Sequence, residues 1–180
     1  MYFATAGAAN TEQTVQLALQ TAQERRIRHM VIASNTGETA RLFQNVPEIQ
    51  TVCVTHVYGM WKPGENEMTE AVRAELTDSG MRVLTATHVL SGAERGISKK
   101  FGGVNPVELI AHTLRMFGQG TKVCVEIAVM ALDAGLIPFG EQVIAVGGTG
   151  RGADTAVLLT PAHAAGILDT RIHEIICKPN

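Results

Sequence analysis

Two short β-branched runs, "HMVIAS" (29–34) and "QTVCVTH" (50–56), flank a brief helical stretch, "GETARLFQN", that ends before Pro47. This βαβ rhythm constrains the chain more than any other feature, because strands joined through a helix lie parallel and a parallel sheet needs helices on its faces. The rhythm repeats. After a polar segment, "MTEAVRAELTDSG" carries Met68, Ala71, Val72 and Leu76 at helical spacing, stops at Gly80, and gives way to a strand, "MRVLTAT" (81–87).

The remaining elements are read the same way. Asn10 is positioned to cap "TEQTVQLALQTAQERR", with Gln13 completing a capping box and Val15, Ala18, Leu19 and Ala22 on one face. In "NPVELIAHTLRMFGQG" the cap is Asn105, Pro106 takes the first position, Glu108 completes the box, and Val107, Ile110, Leu114 and Phe117 point inward. The run "TKVCVEIAVMALDAG" (121–135) is apolar almost all round and reads as a deeply buried helix. "QVIAVGG" (142–148), "TAVLLTP" (155–161) and "RIHEIICKP" (171–179) read as strands whose short links suggest antiparallel pairs beside an otherwise parallel sheet. The expected fold class is α/β, with a mostly parallel mixed sheet and helices on both faces, as one domain over residues 1–180.

Composition narrows the function classes. Fifteen Lys and Arg against 17 Asp and Glu give a net charge of −2 without a run of either sign, so no footprint for nucleic acid or an anionic membrane is visible. Cys53, Cys124 and Cys177 lie far apart inside apolar stretches and form no CxxC, the pattern of reduced, buried thiols, which points to the cytoplasm. The N-terminus has no basic-then-apolar leader, and no run approaches the length of a membrane span.

In an open parallel sheet, ligands bind beyond the carboxyl ends of the strands. The loops that fall there are "SNTGET" (34–39), "HVYGMWKPGENE" (56–67), "HVLSGAERGISKKFGG" (88–103) and "GGTGRGADT" (147–155). The first runs from a strand into a helix, and Ser34, Asn35, Thr36 and Thr39 with Gly37 could hold a phosphate, the alternative being ordinary capping by Thr36. In the second, Trp61 and Tyr58 offer rings for a planar ligand or for packing on the domain. In the third, Arg95, Lys99 and Lys100 suit a mobile flap over an anion, or a solvated face.

The last loop formally matches GxGxxA at Gly148, Gly150 and Ala153, with Asp169 near the spacing of a ribose-binding acid. A strand ended by Pro161 follows it, not a helix, so a dinucleotide fingerprint is rejected; no Gly-Lys-Ser/Thr occurs either. What remains is a loop whose glycines let backbone approach a ligand closely, with Arg151 as an oxyanion partner and Asp154 orienting it or binding a polar ligand group. A glycine-rich hairpin with a solvated arginine is the alternative.

Glu126 stands in the apolar helix, where a carboxylate needs a partner or keeps its proton. It is a candidate acid or base, or else pins a loop backbone. His56 and His88 follow strands at the same rim, but with no HExxH or Cys/His cluster no metal is expected.

At the two glycine loops a resemblance emerges. "HMVIASNTGETARLFQNVPEIQTVCVTH" and "VIAVGGTGRGADTAVLL", with "NTEQTVQLAL", "LSGAERGISKKFGGVNP" and "KVCVEIAVMALDAGLIP", resemble the stand-alone family related to the pyruvate kinase C-terminal domain, over nearly the whole chain. The resemblance implies a three-layer α/β/α fold, FMN in some members (a flavoprotein), and no kinase activity, because the barrel that performs phosphoryl transfer has no counterpart. It also implies that Ser34, Asn35, Thr36, Gly37 and Thr39 hold a phosphate and that Gly148 to Asp154 form a lid over it. Gly147, Thr149, Arg151, Gly152, Thr155 and His56 complete the expected binding set. Asn-Thr before Gly37 and the GRGAD run depart from the kinase pattern and remove the basis for sugar bisphosphate specificity. The expected function is therefore binding of a phosphorylated small molecule, FMN foremost. An enzyme using Glu126, His56 or His88 as acid or base is the alternative, as is a structural subunit in which "RIHEIIC" pairs between copies as an edge strand.

Overall fold

The computed structural model describes residues 1–180. Seven strands form one sheet in the order β1-β7-β6-β5-β2-β3-β4. In chain order they are β1 (Tyr2–Phe3), β2 (His29–Ala33), β3 (Gln50–Val54), β4 (Arg82–Leu84), β5 (Val143–Gly147), β6 (Thr155–Thr160) and β7 (Arg171–Pro179). The helices are α1 (Thr11–Arg25), α2 (Glu38–Arg41), α3 (Glu70–Asp78), α4 (Gly92–Phe101), α5 (Pro106–Arg115) and α6 (Gln119–Asp133).

Strands β4, β3, β2 and β5 run parallel, whereas β5–β6 and β6–β7 are antiparallel, as the short links between the last three strands require. Side-chain alternation along β2 divides the core. Met30 and Ile32 face Val15, Ala18 and Ala22 of α1 and Leu76 of α3. Val31 faces the other way, toward Cys124, Ala128 and Val129 of α6. Helices thus cover both faces, and α6 has buried residues along nearly its whole length, in accord with its mostly apolar sequence. No helix is long and apolar enough to cross a membrane.

Three expectations need correction. The Asn10 side chain does not cap α1; a 3-10 turn over Ala8–Asn10 precedes the helix, and the Asn10 amide donates to Thr5 O and Gly7 O. Nor does Asn105 cap α5: Glu94 Oε1 accepts the Glu108 N–H, and Phe117 lies exposed beyond the helix. Residues 92–101 are helix rather than a flap, with Lys99 and Lys100 in its last turn, where they complement the negative end of the dipole. β1 pairs with the last two residues of β7, at Tyr2↔Lys178 and Phe3↔Pro179, beyond the "RIHEIIC" stretch, which has β6 on its paired side.

Candidate functional site

Because β2, β3, β4 and β5 are parallel, their carboxyl ends share one rim, and Ile32 pairs with Val146 just before the first and last candidate loops begin, at Ser34 and Gly147. The sheet therefore sets the 34–39 turn beside the 148–154 loop.

The turn is anchored from below, with Ser34, Gly37 and Thr39 buried and Asn35 and Thr36 half-buried. Ser34 N–H donates to Val54 O, and Ser34 Oγ accepts the Ala40 N–H at 3.3 Å. Gly37 is required: its φ is +92°, and a Cβ there would meet Val72 Cγ1 at 2.4 Å. The backbone N–H groups of Asn35, Thr36, Gly37, Glu38 and Thr39 donate to no backbone acceptor. Such a run of free donors with hydroxyls nearby is chemically an anion cradle.

The glycine loop is built differently. Asp154 is fully buried, and its carboxylate accepts the Gly7 N–H at 2.9 Å, the Thr149 N–H at 3.1 Å and the Thr155 hydroxyl at 2.7 Å. It makes no ion pair with Arg151, which corrects the expectation that Asp154 orients that arginine; burial directs the carboxylate inward to backbone donors. The close approaches at the glycines are also internal. A Cβ on Gly148 would meet Gly152 O at 2.6 Å, one on Gly152 would meet Thr11 Oγ1 at 2.4 Å, and one on Gly147 would meet Gly120 O at 3.0 Å. Ala153 N–H donates to Thr11 Oγ1, tying the loop to the start of α1. Arg151 and Gly150 remain exposed at the tip.

Between these loops and the sheet edge lies a chain of titratable groups at the ends of β3 and β4. Glu67 Oε2 meets His56 Nδ1 at 2.5 Å, the His56 and His88 rings are 5.6 Å apart, and His88 Nδ1 is 3.7 Å from Glu126 Oε2. Glu126 is buried; Oε1 accepts the Leu90 N–H at 3.0 Å and Oε2 pairs with Lys122 Nζ. The carboxylate thus pins the loop after β4, one of its two expected roles. Burial pushes His88 below its ordinary value, partly opposed by the Glu126 charge, and pushes Lys122 down as well. Thr55 and Thr85 hydroxyls lie 2.6 Å apart, and Arg73 donates to Thr85.

Trp61 is 75% exposed and presents its edge to His56, beside a cleft of about 130 Å³. Tyr58 donates to Glu70 and stays outside that contact. All three cysteines are free and buried, and burial raises the Cys53 thiol to about 12.

Lys122, Glu67, Thr55, Thr85 and Arg73 were not among the sequence candidates. Lys122 was the findable one: a lysine four residues before a glutamate in an apolar helix is the spacing of an ion pair on one face.

A family model described as "Pyruvate kinase, alpha/beta domain" matches residues 12–159. Among solved structures, a pyruvate kinase from Cryptosporidium parvum is similar at 18% identity with a TM-score of 0.44, covering 86% of this chain and 23% of that one. A pyruvate kinase of the same organism in complex with ADP is also 18% identical, with a TM-score of 0.42 over 84% of this chain and 23% of that one. The chain thus spans about a quarter of the length of these structures.

Proposed function

The chain belongs to the pyruvate kinase alpha/beta domain family, and on that premise we propose that it binds a phosphorylated small molecule at the carboxyl rim of the sheet. FMN is the ligand first in line, from the resemblance set out above. One observation carries the reading: the amides of residues 35–39 have no backbone acceptor, in a turn whose fold is otherwise fully anchored. A phosphate there would take those N–H groups together with the Ser34 and Thr36 hydroxyls. Arg151, exposed on the loop that follows the neighbouring strand β5, is in no ion pair. Trp61 has a ring face free for a flavin. No barrel is present among these residues, so the proposal is for binding and not for phosphoryl transfer.

The test is FMN affinity by flavin fluorescence. Ser34→Ala with Thr36→Ala should weaken FMN about tenfold, while far-ultraviolet circular dichroism stays unchanged. Unaltered affinity in the double variant removes the phosphate site from this turn.

A second reading, an enzyme acting on a phosphorylated substrate, is favoured by the His56–His88 pair with a carboxylate at either end. Glu126→Gln is a poor probe of it, because Glu126 also holds Leu90 and Lys122. His56→Gln is cleaner. Turnover lost in that variant with ligand affinity retained supports an enzyme; a ligand that binds and is never altered supports the binding domain.

A further inference from the structure

A second cleft, of about 300 Å³, lies between the start of α4 and the C-terminal half of α5, bordered by Ser91, Arg95, His112 and Arg115 with Glu108. Its charges are unbalanced. Arg95 has no carboxylate within ion-pair distance; Arg115 uses only Nε, donating to Gln119 Oε1 at 2.8 Å. Glu108 accepts the Ser98 hydroxyl at 2.8 Å, and its N–H is held by Glu94. Deeper in, Lys122 is matched by Glu126 and so cannot neutralise anything else. Burial lowers Lys122, and the positive charges of Arg115 and Arg95 act on it in the same direction.

The cleft also has unspent neutral donors. Ser91 sits at the N-cap of α4 but its hydroxyl caps nothing, and the N–H groups of Gly92, Ala93 and Glu94 have no backbone acceptor. The approach to this helix is fixed: Leu90 N–H is held by Glu126 and Ser91 N–H by His88 O. Two guanidinium groups without carboxylate partners thus line one cleft together with free amides at a helix N-terminus, a donor set that suits an anion.

We propose that this α4–α5 cleft is a second anion site, independent of the 34–39 turn, which takes the dianionic phosphate of a small phosphate monoester. The forks of Arg95 and Arg115 and the first amides of α4 would share its three terminal oxygens. The volume admits a phosphate with a few further heavy atoms.

Inorganic phosphate is the probe, followed by amide chemical shifts of the full chain at constant ionic strength with chloride as the control salt. Gly92, Ala93 and Glu94 should shift saturably with phosphate and not with chloride. Arg95→Gln with Arg115→Gln should weaken that response about tenfold or more, while Ser34→Ala with Thr36→Ala leaves it as in the wild type. Both arginines stand outside the buried core, so the double variant should keep its sheet resonances. Absence of a saturable shift in the wild type overturns the proposal without any variant. An equal response in the arginine variant, or the same response to chloride, overturns it too.

Discussion

The two glycine-bearing loops on the rim look alike in sequence and do opposite things with their polar groups. In 148–154 the glycines make room for the chain's own backbone, and Asp154 gathers donors from Gly7, Thr149 and Thr155. In 34–39 a single glycine packs against α3, and the amides that follow Ser34 have no backbone acceptor. Glycine richness therefore marks tight packing as readily as it marks a ligand, and the unspent donor is the better sign of a site.

The comparison breaks most sharply at Asp154. Asp154→Ala strands donors in a dry environment and should cost about 3 kcal/mol or more in chemical denaturation; a cost under about 1 kcal/mol would mean that the loop is not self-satisfied. Gly152→Ala comes next. Its φ of +71° and the crowding by Thr11 and Ala8 predict a loss of about 2 kcal/mol, read in the same way. Neither change touches the 34–39 turn, so FMN affinity should hold under conditions where the variants stay folded.

The turn should answer in the reverse sense. Ser34→Ala with Thr36→Ala should cost about 1 kcal/mol in stability, mostly through the Ala40 N–H left without Ser34 Oγ, against the tenfold loss in FMN binding expected above. Arg151→Ala, at an exposed loop tip, should change stability by less than about 0.5 kcal/mol and weaken FMN by a smaller factor than the hydroxyl pair.

The smallest effect is in pH. His88 is held below its ordinary value of 6.5, first by burial, and His29 likewise. As pH falls below 6.5 the unfolded chain takes up protons that these folded imidazoles refuse, so stability declines. His88→Gln should flatten the fall of Tm between about pH 6.5 and 5. An unchanged slope would show that His88 is not the group refusing the proton.

Much of this fold was legible because it rests on strong local patterns. The β-branched runs 29–34 and 50–56 became β2 and β3, and the mostly apolar run of α6 became the best-buried helix. What was hidden depends on contacts distant in sequence. β1 is two residues long, too short for any periodicity, and pairs with Lys178 and Pro179 at the other end of the chain. α4 was masked by Gly92, Gly96, Gly102 and Gly103, which in a sequence read as loop. The site was half legible for the same reason: its residue types stood out, but whether Asp154 turns to a ligand or to Gly7, 147 positions away, is settled only by packing.

The central claim is that the open donors at 34–39, and not the glycines at 147–152, meet the phosphate. Amide chemical shifts of the full chain titrated with FMN test it directly. The account predicts the largest movements at Asn35 to Thr39, with Thr149, Ala153 and Asp154 keeping their free-state positions; large shifts at those three amides with residues 35–39 unmoved would contradict it.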